Sequence, residues 1–153
     1  MKASDYKIRK AKFSDLPAIY EIEKRQEDAW TYKILADDFL ANQFSLYLVA
    51  EDREKIIGFV VLMDIAGEIH INNIAVKEDY RRQGLGEKLL TYGMNSYNKE
   101  NLFGYTLEVR EDNVQAIGLY EKLGFVKLGM RKNYYRNNKN ALIMWKFLKE
   151  NQW

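Results

Sequence analysis

The spacing of hydrophobic positions changes several times along this chain, and each change predicts an element. Residues 6–11 alternate apolar and polar side chains, as a half-buried strand does. Ser14 follows as a candidate helix N-cap, with Pro17 in the first turn of the helix. The apolar residues of that helix recur at helical spacing: Leu16, Ile19 and Tyr20.

A loop, a second helix and an antiparallel meander are predicted next. Residues 26–32 are polar apart from two aromatic side chains, and residues 33–41 place apolar side chains at helical spacing. Three strand-like runs follow, each separated from the next by a break of hairpin length. They cover residues 45–51, 55–64 and 68–76.

The second half of the chain alternates helices and strands. Its apolar spacing predicts helices over about 84–99 and over 113–123, the latter ended by Gly124 as its C′ residue. Strands are predicted over 105–109, 126–133 and 141–147. The order β-α-α-β-β-β-α-β-α-β-β describes an α/β domain with a mixed sheet. Because no linker or repeat divides the sequence, we expect residues 1–153 to form a single domain.

Composition excludes several classes of protein. The chain has 24 Lys and Arg against 22 Asp and Glu, a net charge of +2 that disfavours direct binding of nucleic acid. It contains no cysteine and only one histidine, His70, so thiol chemistry and a histidine-rich metal site are excluded. No apolar run reaches the ~18 residues that span a bilayer, and residues 1–5 carry no signal-peptide core. We therefore expect a soluble cytoplasmic protein without a metal and without membrane attachment.

The segment between the third meander strand and the next helix carries the clearest chemical signal. It reads Ile74-Ala75-Val76-Lys77-Glu78-Asp79-Tyr80-Arg81-Arg82-Gln83-Gly84-Leu85-Gly86. Gly84 and Gly86 let the backbone approach a ligand closely, and the helix N-terminus offers unpaired N–H groups to an anion such as pyrophosphate. Arg81 and Arg82 add positive charge. An isolated Gly-x-Gly is as often a plain tight turn, but this context favours an anion-binding loop.

Two other phosphate-binding patterns fit less well. The P-loop requires Gly-Lys-Ser/Thr, which is absent from the chain. The dinucleotide fingerprint requires a third glycine three residues after Gly86, where Leu89 stands.

The sequence resembles the GNAT acyltransferases. Arg81-Arg82-Gln83-Gly84-Leu85-Gly86 matches their Gln/Arg-x-x-Gly-x-Gly/Ala signature, and the order of elements is similar over nearly the whole chain. Residues 107–110, Asn113, residues 116–125 and Arg131-Lys132-Asn133-Tyr134-Tyr135 resemble the RimI-like Nα-acetyltransferases, as does Trp30-Thr31. NatA-type catalytic subunits share much of this pattern.

The resemblance implies a fold and a cosubstrate. The implied fold is a mostly antiparallel sheet that is splayed at its middle and flanked by helices on both faces. The implied cosubstrate is acetyl-CoA, with its pantetheine arm along Ile74-Ala75-Val76 and the thioester oxygen facing the Val76 N–H. The remaining implied contacts to acetyl-CoA are Arg81, Arg82, Gln83, Gly84, Leu85, Gly86, Glu87 and Asn113. Asn113 is also a candidate helix N-cap, and the two roles are compatible.

Two residues are candidates for the chemistry of acetyl transfer. Strand alternation places Glu108 on the face opposite Leu107 and Val109. Spacing alone favours an ordinary solvated carboxylate there, whereas the resemblance implies a general base. Tyr120 by its helical position is typical of a core residue, whereas the resemblance implies the general acid that protonates the coenzyme A thiolate.

The acceptor side of the site is predicted from aromatic residues that do not fit core patterns. The resemblance implies that Trp30, Thr31, Tyr32, Tyr134 and Tyr135 line a peptide entrance, with interior packing as the alternative. The turn Arg136-Asn137-Asn138-Lys139-Asn140 departs from the acidic turn of NatA-type subunits. The basic residues in and before this turn either favour an acidic second or third substrate residue or only solvate the turn; they are Arg131, Lys132, Arg136 and Lys139.

Proton affinity favours an α-amino group as the nucleophile. With a pKa of ~7.7–8, an α-amino group becomes neutral at pH 7 for about 1 kcal/mol, whereas a lysine at ~10.4 requires roughly 4.6 kcal/mol. We therefore expect acetyl transfer by direct attack on the N-terminus of a protein or peptide, such as a ribosomal protein or a nascent chain. The alternatives are a lysine or small-amine acetyltransferase and a silent acyl-CoA-binding module, which would need neither Glu108 nor Tyr120. A monomer or weak dimer is expected.

Overall fold

A computed structural model describes residues 6–148 of the chain. Within that range, seven strands form one sheet in the order β1-β2-β3-β4-β5-β7-β6. The strands are β1 (Tyr6–Lys10), β2 (Ser45–Asp52), β3 (Lys55–Ile65), β4 (Glu68–Val76), β5 (Gly104–Arg110), β6 (Val126–Tyr135) and β7 (Lys139–Phe147). The α-helices are α1 (Leu16–Glu23), α2 (Tyr32–Ala41), α3 (Leu85–Asn95) and α4 (Val114–Lys122).

The sheet is antiparallel except where β4 meets β5. These two strands pair in parallel over only four residues each, Glu68–Ile71 with Gly104–Leu107. Beyond this point β4 stays paired with β3 as far as Val76, and β5 stays paired with β7 as far as Arg110. The sheet is therefore open between the C-terminal ends of β4 and β5, which confirms the predicted splay.

A bulge lies where the opening begins. In the register of β3 with β4, Val61 faces Asn73 and Leu62 faces Ile71, which leaves Asn72 without a partner on β3. An extra residue in one strand bends that strand and increases its twist. The bulge at Asn72 thus turns β4 at the position where β4 and β5 cease to pair.

Helices cover both faces of the sheet. On one face, α1 and α2 bury Leu16, Ile19 and Leu35 against β2 and β3. On the other face, α3 and α4 bury Leu89 and Ile117 in a second cluster, together with side chains of β2, β3, β4 and β5. Because side chains alternate along a strand, neighbouring strand residues such as 47 and 48 fall into different layers.

Hairpin turns and one helix end follow the predictions from sequence. Both two-residue turns of the meander have positive φ at each position, at Arg53 and Glu54 and at Ala66 and Gly67, as the tightest β-hairpins require. Gly124, which follows the C-cap Leu123 of α4, has φ +98°. In the described range, none of the helices is long and apolar enough to cross a membrane.

Two predicted boundaries are wrong. Ser14 is not the N-cap of α1, because it lies inside a 3₁₀ turn over Phe13–Asp15, and there the Asp15 carboxylate accepts the Lys12 N–H at 2.7 Å. The helix predicted over 84–99 ends at Asn95, and a separate 3₁₀ turn follows over Lys99–Asn101. The Asn98 side chain caps this turn by accepting the Glu100 N–H, which stabilises a break that apolar spacing alone does not reveal.

Candidate active site

A cavity of about 400 Å³ occupies the opening of the sheet. Glu23 and Trp30 line it from the α1 and α2 face, and Tyr120 lines it from the face of α4. Glu108 lies between them on β5. The cavity therefore joins the two faces of the sheet at the place where the strands no longer pair.

Backbone N–H groups of β4 point into the opening. The Lys77 N–H donates to the Ile57 carbonyl of β3 at 2.8 Å. Successive N–H groups of a strand point to opposite edges, so those of Ile74 and Val76 point away from β3, toward the side that β5 has left. Ile74 lines the cavity, and the Val76 N–H lies two residues further along the same open edge of β4. The Ala75 side chain is buried in the layer of α1 and α2, whereas the side chains of Ile74 and Val76 pack on the layer of α3 and α4.

The glycine loop leads from β4 to the N-terminus of α3. Gly84 is the N-cap of α3 with φ +78°, and no side chain caps the helix at this residue. A Cβ at Gly84 would meet no other atom within 4 Å, so the glycine is required by its backbone conformation and not by crowding. Arg82, at φ +63°, also has an uncommon left-handed conformation for its residue type. The loop thereby presents the first turn of α3, which is suited to an anion.

The other residues of this loop that are predicted to contact acetyl-CoA differ in their exposure and in their partners. Arg81 and Arg82 are exposed, and the Arg81 Nε donates to the Val76 carbonyl at 3.0 Å. Gln83 is exposed in the loop, and the Leu85 side chain is buried in the core. Glu87 forms an ion pair with Lys122 of α4 at 2.7 Å. A Cβ at Gly86 would make only ordinary contacts, 3.9 Å from Leu119 and Val76.

Glu108 is half-buried at the centre of the cavity wall. Its neighbours Leu107 and Val109 are buried in the layer of α3 and α4, so Glu108 has the opposite orientation that alternation predicts. Its Oε2 is buried without a hydrogen bond and lies 3.4 Å from the Arg131 Nε. A carboxylate oxygen that accepts no hydrogen bond can take a proton from a substrate in the cavity, although this one is ion-paired with Arg131.

Tyr120 and Asn113 line the cavity from the side of α4. The Tyr120 ring packs at 5.9 Å against Phe125, and burial raises the pKa of Tyr120 to about 12. Its hydroxyl therefore stays protonated at neutral pH. Asn113 is the N-cap of α4, since its side chain accepts the Ala116 N–H at 3.2 Å, which confirms the capping role.

Three of the five predicted acceptor-side residues line the cavity, namely Trp30, Tyr134 and Tyr135. Trp30 also packs against the core beside α1, which confirms interior packing, and its role toward a peptide stays a prediction. Thr31 and Tyr32 do not line the cavity. Thr31 caps α2 by accepting the Ile34 N–H at 3.1 Å, and the Tyr32 ring packs on Tyr20 at 5.6 Å.

Arg110, which sequence reasoning missed, ties two loops of the site together. Its guanidinium contacts Asp28 at 2.8 Å and Glu27 at 2.9 Å, and it also binds Asp112. Asp28 in turn accepts the Arg136 N–H at 3.3 Å, in the turn between β6 and β7. The loop between α1 and α2 is thus joined to the end of β5 and to the opposite wall of the cavity.

Glu23, the last residue of α1, is the second residue that sequence reasoning missed. It is 2% exposed, and burial raises the pKa of its carboxyl, an effect partly offset by the Trp30 N–H and the Asn73 side chain. Its Oε2 accepts the Trp30 N–H at 2.9 Å, whereas its Oε1 is buried without a hydrogen bond. A signal was present, because Glu23 lies four residues after Ile19, on the stripe where apolar spacing predicts a hydrophobic residue.

Across residues 6–148, no group of three or more His, Asp or Glu side chains is arranged to hold a metal ion. The charged groups of the site instead form two regions. Exposed arginines stand at the glycine loop, whereas the cavity is lined by several carboxylates together with Arg110 and Arg131.

The chain belongs to the acetyltransferase (GNAT) family, whose pattern it matches over residues 11–125. It is accordingly an acyltransferase, which confirms the resemblance seen in the sequence. The alanine N-acetyltransferase of ribosomal protein bS18 from Escherichia coli is 38% identical to it over 137 residues, 86% of this chain and 90% of that protein. A crystal structure of the ribosomal-protein-S18-alanine N-acetyltransferase from Escherichia coli superposes on this chain with a TM-score of 0.85. The match covers 97% of this chain and 99% of the chain in that structure.

Two further solved structures share the fold. Ard1 from Thermoplasma volcanium is 30% identical, with a TM-score of 0.85 over 96% of this chain and 100% of its own. The NatC complex bound to Gag peptide and CoA is 19% identical, with a TM-score of 0.80 over 95% of this chain and 100% of the matched chain. The last likeness concerns the fold alone.

Proposed function

We propose that this protein transfers the acetyl group of acetyl-CoA to the N-terminal α-amino group of a protein, by direct attack within one ternary complex. The observation that carries this proposal is the cavity through the open sheet, which has Glu108 and Tyr120 in its wall and reaches both faces. Donor and acceptor can enter from opposite faces and meet between these two side chains. With no cysteine in the chain, a cysteinyl acyl-enzyme is not available.

The residues of the donor side fit a pyrophosphate and a thioester. The first turn of α3 and the exposed Arg81 and Arg82 suit the phosphates, and the open edge of β4 suits an amide-bearing arm that pairs with a strand. Asn113 and the cavity wall lie further along the same path. When bound, acetyl-CoA supplies an activated acyl group.

Three groups at the opening of the sheet have separate tasks in the transfer. Glu108 accepts the proton that the α-ammonium must lose, directly or through water, before the amine can attack. The Val76 N–H donates a hydrogen bond to the thioester oxygen as negative charge develops there. Tyr120 donates its hydroxyl proton toward the leaving sulfur.

A protein N-terminus suits this site better than a lysine. One carboxylate removes the proton of a group with a pKa of ~7.7–8 easily, and that of a lysine at ~10.4 with difficulty. The similarity to a ribosomal-protein N-acetyltransferase makes the N-terminus of a ribosomal protein our proposed substrate, met in the cytoplasm. The aromatic side chains Trp30, Tyr134 and Tyr135 are placed to contact its first residues.

An acetylation assay on matched peptides tests this proposal. We expect the purified full chain and acetyl-CoA to modify a lysine-free peptide with a free N-terminus, and to leave its N-terminally blocked, lysine-containing counterpart unmodified. Modification of the blocked peptide or of a polyamine instead would favour the lysine or small-amine alternative. Binding of acetyl-CoA without any transfer would favour the silent binding module.

A further inference from the structure

Glu23 is a buried carboxylate in the cavity without a cation to balance it. Its side chain is 2% exposed, and its Oε2 accepts the Trp30 N–H at 2.9 Å. None of the Lys, Arg or His side chains in residues 6–148 forms an ion pair with it. Ionising such a group in the free protein is costly unless a partner of opposite charge arrives.

The nearby arginines are already engaged. Arg110 is held by Asp28, Glu27 and Asp112, and Arg131 faces Glu108 and the ring of Tyr134. The Oε1 of Glu23 accepts no hydrogen bond in the cavity wall, where the Asn73 side chain is the polar neighbour of this carboxylate. A cation with N–H donors would supply both a hydrogen bond to this oxygen and the charge that balances the carboxylate.

We propose that Glu23 is the residue that binds the substrate's α-ammonium group. This inference rests on the proposed function, because an N-terminal ammonium at neutral pH carries one positive charge and three donors. Glu23 and Trp30 line the cavity from the acceptor side, so an entering N-terminus meets them there. Glu23 holds the ammonium, and Glu108, which is less buried and sits on β5, accepts its proton.

This division predicts different effects for the two carboxylates. Glu23→Gln keeps an oxygen for the Trp30 N–H and removes the charge, so it should weaken peptide binding. Glu108→Gln should lower kcat and leave the discrimination for a free ammonium in place. A structural role for Glu23 would instead change thermal stability and the KM for acetyl-CoA along with that for the peptide.

The test compares two peptides that differ only in the ammonium group. One begins with alanine, and the other carries a propionyl group in place of that alanine. We expect wild-type protein to bind the alanyl peptide ~10- to 100-fold more tightly, the size of one hydrogen bond to a charged group, and Glu23→Gln to bind the two within about 3-fold. The KM for the alanyl peptide should rise ~10-fold or more in that variant, with the KM for acetyl-CoA changed less than about 2-fold.

Glu21→Gln is the matched control, since Glu21 lies on the same helix with its side chain 60% exposed. It should keep the wild-type preference. The proposal is wrong if wild-type protein shows no preference for the alanyl peptide, or if folded Glu23→Gln retains that preference. If Glu23→Gln does not fold, Glu23→Met provides the same comparison. Failure of wild-type protein to acetylate any free N-terminus would instead refute the proposed function.

Discussion

Among single residues, Tyr120 shows how burial prepares a proton donor. The ring belongs to the core and packs on Phe125, while the residue also lines the cavity. Burial disfavours the phenolate and raises the pKa to about 12. The hydroxyl consequently remains a donor over the whole range of pH in which an α-amino group becomes neutral.

Tyr120→Phe should separate the two roles of this residue. The ring contacts remain, so we expect a small change in Tm, whereas kcat should fall about 100-fold or more with the loss of a proton donor. Because a pKa of about 12 keeps wild-type Tyr120 protonated below that pH, the pH profile between about 6 and 9 should keep its shape in the variant. Steady-state kinetics across pH and a thermal melt give these values. Unchanged kcat, or a loss of activity that only follows a loss of folded protein, would leave Tyr120 as a core residue.

Among the secondary-structure elements, the glycine loop depends on the backbone conformation of one position. Gly84 has φ +78° at the point where the loop becomes α3, with open space where a Cβ would lie. A β-branched residue tolerates such a φ very poorly. The free-energy cost of a substitution at Gly84 therefore arises from backbone strain and not from crowding of the side chain. The conformation of the loop, more than its arginines, places the first-turn N–H groups of α3.

Gly84→Val should weaken acetyl-CoA binding selectively. Strain of about 1–3 kcal/mol at this residue is enough to displace the loop, so we expect the KM for acetyl-CoA to rise about 10-fold or more with the peptide KM little changed. Gly118→Ala is a control on an exposed helical glycine, also without neighbours within 4 Å, and should leave both constants unaltered. Retention of wild-type affinity in Gly84→Val, measured by calorimetry, would remove this loop from the acetyl-CoA site.

At the scale of the whole molecule, an ion-pair network joins β1 to the turn before α1 and to β2. The Arg9 guanidinium of β1 binds Asp15, before α1, at 2.8 Å and Glu51 of β2 at 3.3 Å. The hydrogen bond from Arg9 holds the pKa of Asp15 below its ordinary value, against the opposing effect of burial. Protonating Asp15 therefore destabilises the folded protein.

Acid unfolding should reveal this network. Asp15→Asn keeps an acceptor for the Lys12 N–H but loses the charge, and we expect it to lower the free energy of unfolding by about 1 kcal/mol near pH 7. Since the pKa of Asp15 in the folded protein lies below its ordinary value of 3.8, the wild-type advantage is complete well above pH 3.8 and decreases as the pH falls below it, through the folded pKa. Urea titrations of both proteins from pH 7 to pH 2 measure this difference. A constant difference over the whole range would contradict the assignment.

Much of the site could be predicted because it depends on local features. The orientation of Glu108 follows from strand alternation, the position of Gly84 from a turn that opens a helix, and the cap at Asn113 from its place before α4. Arg110 could not be found in this way, and Glu23 only by its place on the apolar stripe of α1. One partner of Arg110, Asp28, lies 82 residues away in the chain, and the burial of Glu23 arises only when α1 packs on the sheet.

The order of elements, both meander turns, the glycine loop and the family all follow from the chain alone. These features depend on the preferences of neighbouring residues, which act over a few positions of the chain. Only the folded molecule shows the β-bulge at Asn72 of β4 and the separation of β4 and β5 beyond Ile71 and Leu107. It also shows that Glu23 is buried away from solvent. Strand pairing and burial join distant segments, so the cavity that unites these residues exists only in the assembled sheet.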